Sequence, residues 1–329
     1  MTAKHEKTTG RRRVAINADK PHLWKDDIAK SVDLFNSWFM KFAPKAYRDS
    51  RVSTTREVRD GLSRTSDLRD LTPAMLRANP GVLPTLRMCT CPPLARDRLV
   101  GLAYVTKGLV GSLEEGNLPP RMPPAELDAN LKSIASIITQ MLDVDIFPWL
   151  GCSARPTDDE RHRAATIVAD RLCGAVCDPI VRNAQEKRQL AYIGNYLKKK
   201  GYVQKTHPSG IPVAAMEPGT YNFRMIVVAG AKQKVNIPID VVIQPKRPRP
   251  TRVPILIEAK SAGDFTNVNK RRKEEATKMV QLRETFGPAV EFVLFLCGYF
   301  DSGYLGYEAA EGIDWIWEHR IEDLDKLGF

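Results

Sequence analysis

Apolar residues recur at steps of three and four along the first half of the chain and gather into short unbroken runs along the second. After Pro21, with Asp26 and Asp27 following closely, Ile28, Val32, Phe35, Trp38, Phe39 and Phe42 repeat at helical spacing. A second stripe follows Pro123-Pro124 and carries Leu127, Leu131, Ile134, Ile138 and Met141. Between them stand proline-punctuated pieces such as RANPGVLPTLRMCTCPPLARDRL, and EEGNLPPRMPP reads as a loop. The spacing predicts a mainly helical region over residues 21–155, with a short basic arm at residues 1–20 before it.

From residue 156 to 329 the period changes. A helix is predicted from Asp178 to Lys200, where Gly201 ends it. Three runs of strand length and β-branched content follow: Phe223 to Ala229, Ile237 to Ile243, and Val253 to Ala259. A charged amphipathic helix spans Thr266 to Phe286, buries Ala276, Met279, Leu282 and Phe286, and stops at Gly287-Pro288. EFVLFLCGYF then reads as a strand covered on both sides, because it is apolar throughout rather than alternating. Helix, three strands, helix, strand is the order of an α/β sheet with helices on its faces.

Two of these strands carry charge where apolar residues belong. Asp240 interrupts Ile-Pro-Ile-Asp-Val-Val-Ile, and Glu258 and Lys260 close Ile-Leu-Ile-Glu-Ala-Lys. An unpaired carboxylate in an apolar strand is costly to bury. Residues i and i+2 of a strand share a face, so Glu258 and Lys260 point the same way, and Asp240 joins them if the strands are neighbours. Two hard oxygen ligands beside one ammonium suit Mg²⁺-assisted phosphodiester hydrolysis. The lysine can orient or deprotonate the attacking water and offset charge on the phosphate. The plainer account is a buried ion pair in which Lys260 neutralises Glu258. On the preceding helix Glu186, Leu190, Ile193 and Leu197 follow steps of four, three and four, which puts Glu186 at one end of the inward stripe. It is either a solvated end-of-stripe glutamate or a third acidic group that faces the site.

Net charge adds a partner. Lys and Arg number 50 against 39 Asp and Glu, a balance of +11 that draws polyanions. Lys246, Arg247, Arg249 and Arg252 fill the loop between the two charged strands, and Lys270, Arg271, Arg272 and Lys273 open the helix after Glu-Ala-Lys. Cations flanking one pair of strand ends fit phosphates on either side of a scissile bond. Thr266, Asn267 and Asn269 add uncharged donors for base edges or backbone oxygens. The six cysteines lie in no zinc-ligand spacing and, without an export signal, read as reduced thiols. No apolar run is long enough for a membrane span, and a cytoplasmic protein is expected.

Pro-Ile-Asp on one strand and Glu-Ala-Lys on the next resemble the PD-(D/E)XK nuclease superfamily. The text around them is more specific. NADKPHLWKDDIAKSVDLFNSWFMKFAP, LRMCTCPPLARDRLVGL, DPIVRNAQEKRQL and EAKSAGDFTNVNKRRKEEATKMVQLRETFG together are similar to the XamI-type type II restriction endonucleases, over residues 17 to 300. The resemblance implies a PD-(D/E)XK core, a mixed sheet flanked by helices, in residues 156–329. It further implies a Mg²⁺-dependent homodimer that cuts both strands of a short palindromic DNA sequence, in a system with a cognate DNA methyltransferase. Carried onto this chain it makes Asp240 and Glu258 the metal ligands, Lys260 the catalytic lysine and Glu186 the acidic residue of the helix. Ile239 stands between Pro238 and Asp240 where the family pattern has none. Arg87, Arg96, Arg98, Lys270 and Arg271 are candidates for DNA contact. The competing readings are a structure-specific nuclease of repair or recombination and an inactive DNA-binding protein on a nuclease fold.

Overall fold

The computed structural model describes residues 15–208, 210–230, 234–247, 253–265 and 272–328, apart from the side chains of residues 175, 176 and 272. The chain divides into two units, one formed by the described residues up to Lys41 with those from Arg182 onward, the other by Phe42–Val181. Both boundaries fall within long helices. Helix α1 runs over Pro21–Arg64 and α7 over Asp158–Lys199, so each contributes to both units.

The Phe42–Val181 unit is helical. Between the parts of α1 and α7 that belong to it come α2 (Pro73–Ala78), α3 (Leu83–Met88), α4 (Arg96–Ala103), α5 (Lys107–Glu114) and α6 (Pro124–Met141). Leu127, Leu131, Ile134 and Ile138 bury the expected stripe of α6 against Leu76, Leu83, Leu86, Leu99 and Leu109. The start of α7 departs from expectation by twenty residues. Asp178-Pro179 looks like a helix opening, but the helix opens at Thr157-Asp158-Asp159-Glu160 and runs straight through Pro179. The Thr157 hydroxyl accepts the Glu160 amide at 3.2 Å, and the Glu160 carboxylate accepts the Thr157 amide at 2.8 Å. That reciprocal capping is the true start signal.

The other unit holds a six-stranded mixed sheet in the order β1 (Val203–Gln204), β2 (Thr220–Ala229), β3 (Val235–Gln244), β4 (Ile255–Ala262), β5 (Phe292–Gly298) and β6 (Asp314–Trp317). Strands β2, β3 and β4 pair antiparallel, whereas β4, β5 and β6 pair parallel. Helix α8 (Arg272–Phe286) makes the crossover from β4 to β5 and α9 (Ser302–Ala310) that from β5 to β6. The short β1 and β6 and helix α9 were not among the expected elements. DWIW and Val203-Gln204 are too brief to show a period. Residues 266–271, assigned in sequence to the start of the α8 helix, lie outside the described set.

Side-chain alternation along β5 defines the two faces. Phe292, Leu294 and Leu296 pack with Met279 and Leu282 of α8, while Val293 and Phe295 pack with Leu190, Ile193 and Leu197 of α7. In β4, Leu256 takes the α8 face and Ile255 and Ile257 the α7 face. The hairpin β2–β3 breaks the alternation. Tyr221 and Phe223 lie on the α7 face, but Met225, Val227 and Ala229 lie on the α8 face; along β3, Ile237 and Ile239 lie on the α8 face, but Val241 and Ile243 on the α7 face. Both reversals occur at one rung, bracketed by the pairs Phe223↔Val241 and Met225↔Ile239. The residues between are Arg224, whose φ is +51°, and Asp240. One left-handed residue inside a strand turns the face over, as a bulge does.

Two anchors tie the chain's start to this sheet. The Asp314 carboxylate accepts the amides of Ile16, Asn17 and Ala18 at 2.5, 3.0 and 3.1 Å. Ser31 of α1 accepts the Gly298 amide at 2.8 Å. Gly298 has a φ of +106°, and a Cβ there would stand 2.1 Å from the Ala262 carbonyl oxygen, so only glycine closes β5 against β4 at this point. The inward line of α1 is Trp24, Asp27, Ser31 and Phe35, with Phe39 of the expected stripe turned out to solvent.

Candidate active site

The ladder between β3 and β4 is short: Val241↔Ile257, Val242↔Leu256 and Ile243↔Ile255. Asp240 and Glu258 are the next residue on each strand, at the fork where the two part. In place of a ladder bond, the Ala259 amide donates to Asp240 Oδ2 at 2.8 Å. Glu258 and Lys260 share the α8 face of β4, and Lys260 Nζ stands 3.9 Å from Glu258 Oε1. The three residues singled out in sequence are therefore brought together, with Glu258 and Lys260 inside β4 rather than at its end.

Two side chains of α8 that sequence reasoning passed over complete the group. Lys278 Nζ meets Glu258 Oε1 at 2.7 Å, and Lys260 Nζ contacts Glu275 Oε1 as its nearest ion pair. The expected pairing of Lys260 with Glu258 is thus not the main one. Glu275 stands in a charged stretch of the helix, yet it is 0% exposed, while Ala276, expected on the buried line, is only half-buried. The inward line of α8 is Glu275, Met279, Leu282 and Phe286, steps of four, three and four. A signal was present: Glu275 continues the apolar spacing better than Ala276 does.

The electrostatics of the fork are strained. Burial, then the charge on Glu258, pushes the Asp240 carboxyl up to about 6, against the pull of the Ala259 amide and Lys278. Glu258 Oε2 is buried without a hydrogen-bond partner. Glu186 is close enough to add to the load on Asp240. Its carboxylate is held at 2.8 and 3.0 Å by Arg224, the residue at which β2 turns over. Nothing in the sequence pattern singles out Arg224.

Further from the solvent, on α9, Glu308 is wholly buried. Burial, with the charge on Glu275 second, pushes it up to about 8. Its unfolded value is near 4.5, so between those limits the folded chain holds a proton that the unfolded chain has released, and stability falls as pH rises through that window. The slope is about 1.4 kcal/mol per pH unit. Glu308→Gln should remove it: thermal melts should place the variant well above the parent at pH 8, with the gap closing towards pH 4.5. Parallel melting curves across that range would refute the assignment.

The expected DNA-contact residues divide three ways. Arg249, Arg252, Thr266, Asn267, Asn269, Lys270 and Arg271 lie outside the described residues, and of Arg272 only the backbone is described, as the first residue of α8. Arg247, Lys273 and Arg98 are exposed. The others are engaged within the protein. Lys246 Nζ donates to the Lys200 carbonyl at 2.7 Å. Arg96 and Arg87 converge on Glu114, and Arg87 also donates to the Leu94 carbonyl. Among the described residues no group of three or more His, Cys, Asp or Glu is arranged to hold a metal, and no helix is long and apolar enough to cross a membrane.

A fork of crowded carboxylates with a lysine at hand, in a chain of charge +11, has the chemistry that hydrolysis of an anionic ester calls for. Comparison with known families makes the class definite. The XamI restriction endonuclease family matches residues 66–317, and the chain belongs to it. Over 313 residues it is 55% identical to the type II restriction enzyme SalI of Streptomyces albus G, covering 95% of this chain and 99% of that one. The activity is that of a type II restriction endonuclease, sequence-specific cleavage of DNA. No solved structure matches.

Proposed function

We propose that Asp240, Glu258 and Lys260 form the centre at which this restriction endonuclease hydrolyses the phosphodiester bonds of double-stranded DNA, with Mg²⁺ as cofactor. The observation that carries the reading is the fork itself: Asp240, whose ionisation burial and the charge on Glu258 make costly, and Glu258, which has an orphaned buried oxygen, beside an ammonium. A divalent cation relieves both problems. Two carboxylates suffice for Mg²⁺, which keeps several of its waters. When bound, the ion supplies a Lewis acid for the phosphoryl oxygen and an acidified water.

The chain's own groups do the rest. Asp240 and Glu258 would hold the ion, and the Ala259 amide fixes Asp240 Oδ2 so that the carboxylate cannot swing. Lys260, on the same face as Glu258, offsets charge that grows on the phosphate and orients the attacking water. Glu186, drawn in by Arg224, is a third acidic group at the rim. The sheet unit corresponds in this reading to a PD-(D/E)XK core. The helical unit serves packing, dimerisation or DNA contact, with Arg96 and Arg98 at its surface. The family resemblance implies a homodimer, whose two-fold axis would match a palindromic site, in a cytoplasmic restriction–modification system with its own methyltransferase.

Digestion of a sequenced plasmid by purified protein and Mg²⁺ tests the reading. Discrete fragments whose ends share one sequence are expected, and chelation should abolish them. Cuts confined to flaps or junctions, or none in several complex DNAs, would remove it.

A further inference from the structure

Glu275 is a buried carboxylate on an otherwise apolar helix line, and packing gives no reason for it. Met279, Leu282 and Phe286 fill the same line with hydrocarbon, and a leucine would do so at position 275. A buried charge that could be replaced by an apolar residue is weak evidence of stabilisation and points instead to placement of its partner. That partner is Lys260.

We propose that Glu275 is a positioning residue for cleavage: its carboxylate draws the Lys260 ammonium away from Glu258, which leaves Glu258 to the divalent ion and sets the direction of the ammonium. The proposal rests on the reading of Asp240, Glu258 and Lys260 as the catalytic centre. Residues two apart on a strand share a face, so without a competing acceptor the ammonium of Lys260 would settle on Glu258. The result would be a closed, neutral pair with no charge left for a cation. In the structure the competition has gone the other way. Lys260 Nζ is in contact with Glu275 Oε1 and 3.9 Å from Glu258 Oε1, and Glu258 Oε2, like Glu275 Oε2, has no hydrogen-bond partner. Lys278, three residues along α8 from Glu275, holds the other Glu258 oxygen at 2.7 Å from a site 19% exposed, where a bound cation could displace it. Behind Glu275, Glu308 adds no rival charge at neutral pH, since burial and Glu275 itself keep it protonated. Helix α8 therefore supplies two charges with separate tasks, one for each end of the Glu258/Lys260 pair.

The test compares Glu275→Gln, Glu275→Asp, Lys260→Met and the double variant Lys260→Met/Glu275→Gln on a plasmid that the parent cuts. Single-turnover cleavage, DNA affinity in Ca²⁺ and melting temperature are measured for each. Loss of a residue that orients a catalytic group costs about 10–100-fold, so Glu275→Gln should cut more slowly by that factor with DNA affinity unchanged. Glu275→Asp, which keeps the charge, should cut faster than Glu275→Gln. Glu275→Gln should cost nothing further once Lys260 is methionine. Parent-rate cleavage by Glu275→Gln, or losses that multiply in the double variant, overturns the role of Glu275. If Glu275→Gln does not fold, Lys260→Met/Glu275→Met decides: it should melt above Lys260→Met, because an unpaired buried charge has gone, and a lower melting point would make Glu275 a residue of the fold alone. Parent-rate cleavage by Lys260→Met is a different failure, since it removes the catalytic centre and not merely its support.

Discussion

Asp240→Asn is expected to abolish cleavage and at the same time to make the metal-free protein more stable. Loss of one preorganised charged contact costs about 10³-fold in rate, and Asp240 is one of only two carboxylates proposed to hold the ion. DNA affinity in Ca²⁺ should fall far less, because phosphate contacts made elsewhere supply most of it. The stability gain comes from the same crowding. The Asp240 carboxyl is pushed from 3.8 to about 6 by burial and by Glu258. Below the unfolded value both states are protonated and nothing is lost; as pH rises from 3.8 to 6 the folded state holds on to a proton that the unfolded state gives up, and stability declines. Above 6 the whole penalty is present, about 3 kcal/mol. Asparagine keeps an oxygen for the Ala259 amide and carries no charge. Melts at pH 8 should thus show the variant several degrees above the parent, and melts at pH 4 no difference. A variant that still cuts would sink the centre. One that is inactive but also destabilised at pH 8 would make Asp240 a structural residue.

How much of this was readable beforehand depends on whether a residue's task is local. Glu258 and Lys260 were legible because strand alternation alone puts them on one face, and Asp240 because a carboxylate stands out in Ile-Pro-Ile-Asp-Val-Val-Ile. Their junction was not. The ladder between β3 and β4 stops after Ile257, and the hairpin turns over at Arg224, an arginine with positive φ that no propensity favours. Glu275 was hidden by its neighbours: in Arg-Arg-Lys-Glu-Glu-Ala-Thr-Lys every charge looks solvated, and only the exact helical phase separates the buried glutamate from the exposed one. Phase also explains Phe39, which fits the apolar stripe of α1 by chemistry but lies off the line of Trp24, Asp27, Ser31 and Phe35. The late start assigned to α7 has another cause. Pro179 is a stronger local mark than Thr157 and Glu160, whose mutual hydrogen bonds carry meaning only as a pair.

Acid should loosen the metal before it unfolds the protein. An ordinary aspartate would stay ionised to below pH 4, so a typical carboxylate site holds its cation through mildly acidic buffers. Here the proton is already favoured at about 6, because the Asp240 carboxylate sits beside Glu258 in a poorly solvated fork. A cation competes with that proton for the same oxygens. Above pH 6 the affinity should be flat as far as Asp240 is concerned, and below it should fall about tenfold per unit as protonation takes the ligand away. Binding at pH 6 should also release close to half a proton for this group, where binding at pH 8 releases almost none. Calorimetric titration of the DNA-free protein with Mn²⁺ or Mg²⁺, in buffers of different ionisation enthalpy, reads both quantities. The same titration on Asp240→Asn should show weaker binding and no acid limb near 6. If the parent binds the ion equally well at pH 7 and pH 5, the carboxylate that limits binding is not Asp240, and the fork between β3 and β4 is not where the cation sits.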